Sequence, residues 1–509
     1  MLATQSMEYF ANSLVVACGA SVIAVTLASF LALETFGRNT VAARCQAGLI
    51  GCFLLLPSYV VAGAWSAGFG SVGWWTLSQV TSAKAPLVGI ASVVWIHAMA
   101  ALPVAYWILV IGLSKCRSTP IQLARCEGGL LRQCRLGIWP NWSSWTVGTF
   151  LSIAAWISGD MVVTNLFQVP TLVEQCYLDM ITDQVNFRRI LAASSLSLLL
   201  GSIGIGLVSY AWSNVRAVRS HELHSDFIIA HPWTFSVAAW LIVSVSVLLP
   251  LANLLIKAGW VASQNGRGNI ERSWSLVNAV RNCVHAPSSF YREFQWSLSL
   301  SAWSATIACF FGAVAVLAIF PPAVEKSDRR SGGNRLVYHL VRANLIGLCI
   351  GCFSLPGPIV NLLVIRFYQA PIIGLQWLCD HTLAAPILCM QFRLIPLAVL
   401  VFAIFHRRWQ EESGQTWAID AGRPWSAKIR LCMPSFAKPV AMLWLALLAV
   451  AMGDLATYMQ CLPPGVTTIS MRIFDLLHYG VRADEAGLLL LLVIVGALAG
   501  WAATRNLNR

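Results

Sequence analysis

Few side chains in this chain could do chemistry, and most of those lie in apolar surroundings. Asp160 and Asp454 each follow a glycine, in ISGDMVVTNLFQVP and AMGDLATYMQCLPP, and each Gly-Asp pair interrupts an apolar stretch. A carboxylate at mid-depth in hydrocarbon costs roughly 2.5–3.5 kcal/mol unless it is paired or wet. With Gly159 and Gly453, these carboxylates read either as a pathway gate that meets the ligand or as helix caps facing water. Arg393, in QFRLIP, lies near the middle of an apolar run and needs a partner. Asp454 is the candidate, and a structural ion pair stands level with a ligand contact. His97 is a lone polar residue in its run and reads as a core histidine with a satisfied hydrogen bond. Glu174, Asp179 and Asp183 are loosely spaced and read as a solvated face rather than a metal or general-acid site. The Cys349–Cys352 pair lies inside an apolar run without the further ligands zinc needs, so the 15 cysteines read as small buried side chains. No GxxxxGKS or GxxxxGKT occurs, so the chain cannot cradle nucleotide phosphates by a P-loop.

The elements that must hold these residues follow from composition. The chain has 509 residues, 58% of them hydrophobic and 11% charged. Soluble domains are usually near a quarter charged, so lipid is the expected solvent. A helix needs about 20 apolar residues to cross, and strands in lipid must close into a barrel, whose alternating segments are absent. The expected fold is therefore an all-α integral membrane protein with about eleven spans: Leu14–Leu33, Ala47–Ala67, Val88–Leu113, Trp145–Leu166, Ile190–Trp212, Phe235–Ile256, Leu298–Phe320, Leu345–Ile365, Ala384–Phe405, Val440–Met459 and Ala486–Ala503. No cleavable signal peptide is evident. With the N-terminus outside and the C-terminus cytoplasmic, inner loops hold about 22 Lys and Arg and outer loops about 11. The net charge of +13 is then topology, not nucleic-acid binding.

The landmarks repeat. GLIGCF before Pro57 is echoed by GLCIGCF before Pro356 and Pro358. Pro103 and Pro396 sit inside the following spans. Pro140 and Pro434 precede the Gly-Asp pairs, and Pro170 and Pro464 follow them. The expected organisation is a first domain of five spans at 1–220, a joining span and long external loop at 221–297, and a second domain of five spans at 298–509. Two parallel copies about an axis along the membrane normal suit a transporter.

Each half carries a loop between its third and fourth spans, at 114–142 and 406–438. A turn of small residues (Glu127-Gly128-Gly129; Asp420-Ala421-Gly422) leads into a basic stretch with Arg132 and Arg135, or Lys428 and Arg430. A proline then opens the next span, as suits a first helical turn. Alone, such a stretch reads as a helix anchored on the inner membrane surface. The loops also resemble the EAA loop of the binding-protein-dependent, MetI-like permeases of ABC transporters. The stretch from Arg423 to Gly480 is similar to permeases of fused two-domain iron(III) importers, with thiamine and polyamine permeases near. The Glu-Ala-Ala of that family falls on Ile121-Gln122-Leu123 and Gln415-Thr416-Trp417, and its glycine on Glu127 and Ala421.

The resemblance implies a permease subunit of an ATP-driven importer in the cytoplasmic (inner) membrane. It is not itself an enzyme. Cys126 to Gly129, Arg132, Arg135 and Pro140 would form one coupling loop; Asp420 to Gly422, Lys428, Arg430 and Pro434 would form the other. Two cytoplasmic ATPase subunits would dock there and use the ATP, while an external binding protein, aided by the loop 257–295, would deliver cargo. No cofactor or metal is expected on this chain, and ferric ion is the cargo by resemblance alone. The competing classes are an ion-gradient-driven secondary transporter and a membrane-embedded transferase.

Overall fold

The computed structural model describes residues 2–36, 38, 40–78, 85–114, 116, 135, 138–182, 185–214, 233–264, 270–319, 344, 347–419 and 425–507. Cys126 to Gly129, Arg132 and Asp420 to Gly422 lie outside the described residues, as does Asp183. The chain divides into two compact units, Met1–Tyr291 with Met471–Arg509, and Arg292–Ser470. This cuts the chain differently from the expected division at 298, because its last helices pack with the first unit.

In the first unit, α1 (Leu2–Thr35) packs along α5 (Gly89–Ser114) and α6 (Trp139–Ser158). Between α1 and α5 run α2 (Val41–Cys52), α3 (Ser58–Phe69) and the short α4 (Trp74–Ser78). After α6 come α7 (Val162–Leu166), α8 (Leu172–Ile181) and α9 (Phe187–Asn214), which returns along α6. The joining span is α10 (Trp233–Val243), a π-helical turn (Ser244–Leu248) and α11 (Leu249–Ala258). At the end of α1, Glu34 is buried and takes Arg38 and the Ser236 hydroxyl as donors, which ties α1 to α10. A hairpin, β1 (Trp260–Gln264) and β2 (Ile270–Trp274), then leads to α12 (Leu276–Ser289).

The second unit holds α13 (Tyr291–Ile319) from Arg292 on, α14 (Gly347–Ser354), α15 (Gly357–Tyr368) and α16 (Leu375–His381). It also holds α17 (Ala384–Ile419) and α18 (Trp425–Gly453). Its core gathers Val360, Cys389, Leu394, Leu447 and Tyr458. Nearly all of α19 (Ile469–His478) and the whole of α20 (Ala483–Leu507) belong to the first unit, where α20 packs on α12, α11, α2 and α3.

Among the described residues, six helices are long and apolar enough to cross a membrane, or seven if one bent pair counts as a span. They cover the expected first, third, fifth, sixth, seventh and ninth spans. The expected eleven are not reached among the described residues, and several of the breaks have local reasons. Pro57 and Pro356 sit in extended backbone at the N-caps of α3 and α15. Proline supplies no N–H and pushes the residue before it out of the helical region, so the helix ahead must stop. The eighth span is therefore α14 and α15 bent by 105°, and the second is split between α2 and α3. The fourth stops at Ser158 and the tenth at Gly453, where the Gly-Asp pairs stand, and the tenth falls on α18, whose side chains are described only from Ala437. The eleventh falls on α20, whose side chains are described only to Leu498.

The two prolines expected to open spans behave differently. Pro140 does lie in the first turn of α6. Pro434 lies inside α18, which begins at Trp425, so Lys428 and Arg430 belong to the start of that long helix and not to a separate surface helix. The run Trp425 to Met433 contains Ala, Lys, Arg, Leu and Met, strong helix formers that carry the helix into the proline. The apolar surface faces outward in stripes. On α9, Phe187, Leu191, Leu199 and Ile203 are exposed. Such a stripe suits lipid, which charges nothing for apolar contact.

Candidate functional site

Each Gly-Asp pair stands where one helix stops and two others meet it. In the first unit, Asp160 follows Gly159, the C-cap of α6. Its Oδ2 accepts a hydrogen bond from the Ser58 hydroxyl at 3.0 Å, at the start of α3 behind Pro57. The same oxygen lies 3.0 Å from His97 Nε2, on the proline-containing helix α5. Its Oδ1 accepts from the Val162 N–H at 2.9 Å, which opens α7. One carboxylate thus fastens the stop of α6 to α3, α5 and α7. It answers the sequence reading of a capped helix end, but not of one facing open water: its side chain is 12% exposed.

His97 carries an electrostatic constraint. Its Nδ1 is 2.9 Å from the Val93 carbonyl, which only accepts, so Nδ1 holds a proton. Its Nε2 faces a carboxylate. A hydrogen bond there requires a second proton, lying on the imidazole or on the carboxyl, and in either arrangement the pair is neutral as a whole.

In the second unit, Asp454 follows the stop of α18. Its Oδ1 accepts from the Thr457 N–H at 3.1 Å and its Oδ2 from the Thr457 hydroxyl at 2.6 Å, a short local turn of the kind Asp favours. Arg393, on the proline-containing helix α17, places Nε 3.7 Å from Asp454 Oδ2 and donates to the Thr457 hydroxyl oxygen at 3.0 Å. Asp454 is thus the partner that the sequence singled out. The side chains are 15% and 13% exposed. The helix that starts behind Pro356 arrives here too, for Asn361 Nδ2 donates to the Ala456 carbonyl at 2.9 Å. Beside it, the buried thiols Cys389 and Cys461 stand 3.4 Å apart, sulfur to sulfur.

Gly357 makes this approach possible. A Cβ on it would stand 2.6 Å from the backbone carbon and oxygen of Ala456. Backbone cannot swing aside as a side-chain tip can. Gly357→Ala is therefore expected to cost roughly 1–2 kcal/mol, read as a lowered melting temperature in detergent micelles. Unchanged melting would mean that α15 does not press on this turn.

Glu174 and Asp179 depart from the solvated-face reading. Glu174 is 6% exposed and accepts from Gln175 Nε2 at 2.9 Å and Asn165 Nδ2 at 3.5 Å. Burial pushes its carboxyl above the usual range, and the two donors pull against that. Asp179 is held by Arg189 at 2.7 and 3.0 Å. His478 on α19 places Nε2 3.2 Å from Asn165 Oδ1, which extends the Glu174 cluster to α19. Nothing in the sequence marked His478. His97 was visible, but its partner was not. Of the coupling-loop residues, Pro140 and Arg135 are described and exposed.

Among the described residues the fold and the site define a class: a predominantly helical membrane protein with a small hairpin, whose helix stops carry largely buried, paired carboxylates. No protein-family model, curated protein or solved structure matches the chain.

Proposed function

We propose that the chain is the membrane permease of an ATP-driven importer, built from two tandem permease domains of the EAA-loop kind. One observation carries the reading. In each half, a helix that starts behind a proline, a helix that contains a proline, and a helix that stops at Gly-Asp converge on one carboxylate junction. Each junction places a cationic or cation-forming side chain from the proline-containing helix against the aspartate: His97 in one, Arg393 in the other. Such a junction is what a lever needs, because a push on the helix after the inner loop would reach two neighbouring helices at its outer stop.

Two separate ATPase subunits would push from the cytoplasm under Leu123–Arg135 and Ala418–Arg430, and an external binding protein would deliver the cargo. Ferric ion remains the cargo that the resemblance suggests, ahead of thiamine and polyamines. The membrane would be the cytoplasmic one, with the N-terminus outside. The 3.0 Å contact between His97 and Asp160, a pair that could carry a proton, favours a second reading, a transporter driven by a proton gradient.

One experiment separates them. The full chain is co-expressed with any ATPase and secreted binding protein that its neighbouring genes encode, purified, and reconstituted in vesicles. The expected result is that the ATPase co-purifies and that loaded binding protein stimulates hydrolysis. Deleting residues 121–134 should bring stimulation to background. Uptake that needs no ATP and collapses with an uncoupler would overturn the importer in favour of the second reading.

A further inference from the structure

The segment between the joining span and α13 was expected to help dock an external protein. Its helix α12 has three distinct faces. Ala279 and Ala286 are buried, and Asn282 between them donates from Nδ2 to the Ala258 carbonyl at 2.9 Å. On this face α12 lies backbone-close to α20, since a Cβ on Gly487 would stand 2.7 Å from the carbonyl carbon of Asn282. A second face stacks Leu276, Val280 and Val284, with Val277 alongside, all between 54% and 75% exposed. A third face holds Arg281, His285 and Ser288, also exposed. Spacings of three, four and seven residues put each set on its own side of the helix.

A helix turned toward water on two sides would not devote one of them to four branched apolar residues. What covers that side follows from the chain's course. The candidate spans Trp233–Ala258 and Tyr291–Val316 bracket this segment. Among the described residues between them, no helix is long enough to cross; α12 is about 21 Å long. The chain therefore leaves the span Trp233–Ala258 and reaches α12 without crossing again, which holds α12 at the bilayer face on which that span ends. Trp274 and Tyr291, 50% and 65% exposed, flank it as interfacial aromatics do.

We propose that α12 lies in the headgroup layer of the bilayer. Its valine face would sit in the acyl boundary, its Arg281 face among lipid phosphates and water, and its alanine face against α20. The occupant of the apolar face is lipid, not a docked protein.

The test uses the unmodified full chain in vesicles of phosphatidylcholine and phosphatidylglycerol. A diazirine borne on a lipid tail and a water-soluble diazirine are photolysed in parallel, and labelled residues are mapped by mass spectrometry. The lipid-borne probe is expected to label Leu276, Val277, Val280 and Val284 several-fold more than Arg281, His285 and Ser288, and the aqueous probe to show the reverse ratio. Aqueous labelling of the valines equal to that of His285 would overturn the proposal. So would valines reached by neither probe, which would mean that protein covers them.

Discussion

Asp454→Ala is expected to lower the unfolding free energy by about 3 kcal/mol or somewhat more, the low end of the range for breaking a buried ion pair from one side, since this pair is largely rather than fully buried. The cost comes less from the lost attraction than from what is left behind. The Arg393 guanidinium stays charged at any accessible pH. It cannot retreat to water, because α17 carries it inside an apolar run. The Thr457 N–H and hydroxyl lose their acceptor in the same step. Removing both charges should restore much of the loss: Arg393→Met with Asp454→Leu is expected within about 1–2 kcal/mol of the parent, since apolar replacements of a buried pair are often neutral. The pair term is read from a double-mutant cycle on thermal unfolding in detergent. Equal melting of Asp454→Ala and the parent would show that water, not Asp454, satisfies Arg393.

The Arg393 contact was legible in the sequence for the same reason. A fixed cation in an apolar run demands a counter-charge, and the repeat placed Asp454 within reach. His97 was not legible as a partner. A histidine can satisfy one nitrogen on the carbonyl four residues back, as it does at Val93, and so makes no visible demand. Aligning Pro103 with Pro396 also points to Ala100 as the counterpart of Arg393, and His97 lies one turn earlier on that helix face.

The broken spans were half legible. Pro57 and Pro356 are plain in the sequence, yet a hydropathy window sums composition and cannot see a 105° bend. Pro434 misled in the other direction, because proline marks a helix start only when the residues before it are poor helix formers. The three faces of α12 were written in the spacing of Leu276, Val280 and Val284. They stayed hidden inside a segment read by its length and charge as a loop.

The contrast between fixed and releasable charge yields the second large effect. Asp160→Ala is expected to cost about 2–3 kcal/mol, less than Asp454→Ala, although Asp160 accepts from more elements. Without the carboxylate, His97 can stand as a neutral ring that keeps its bond to Val93, an exit that Arg393 lacks. Asp160→Asn should cost less still: with its oxygen in the place of Oδ1 the amide accepts from the Val162 N–H, and with its N–H₂ in the place of Oδ2 it donates to a neutral Nε2 and to the Ser58 hydroxyl oxygen. The ¹⁵N spectrum of selectively labelled His97 is the check: in both variants one ring nitrogen should carry no proton and report it by a downfield shift. His97→Gln tests what the proton does. Glutamine donates to Asp160 but releases no proton, so the junction should stay within about 1 kcal/mol of the parent. If uptake then continues at the parental rate, the pair is a structural tie in an ATP-driven machine. If uptake stops while the fold holds, the proton itself takes part in transport, and the second reading gains what the first loses.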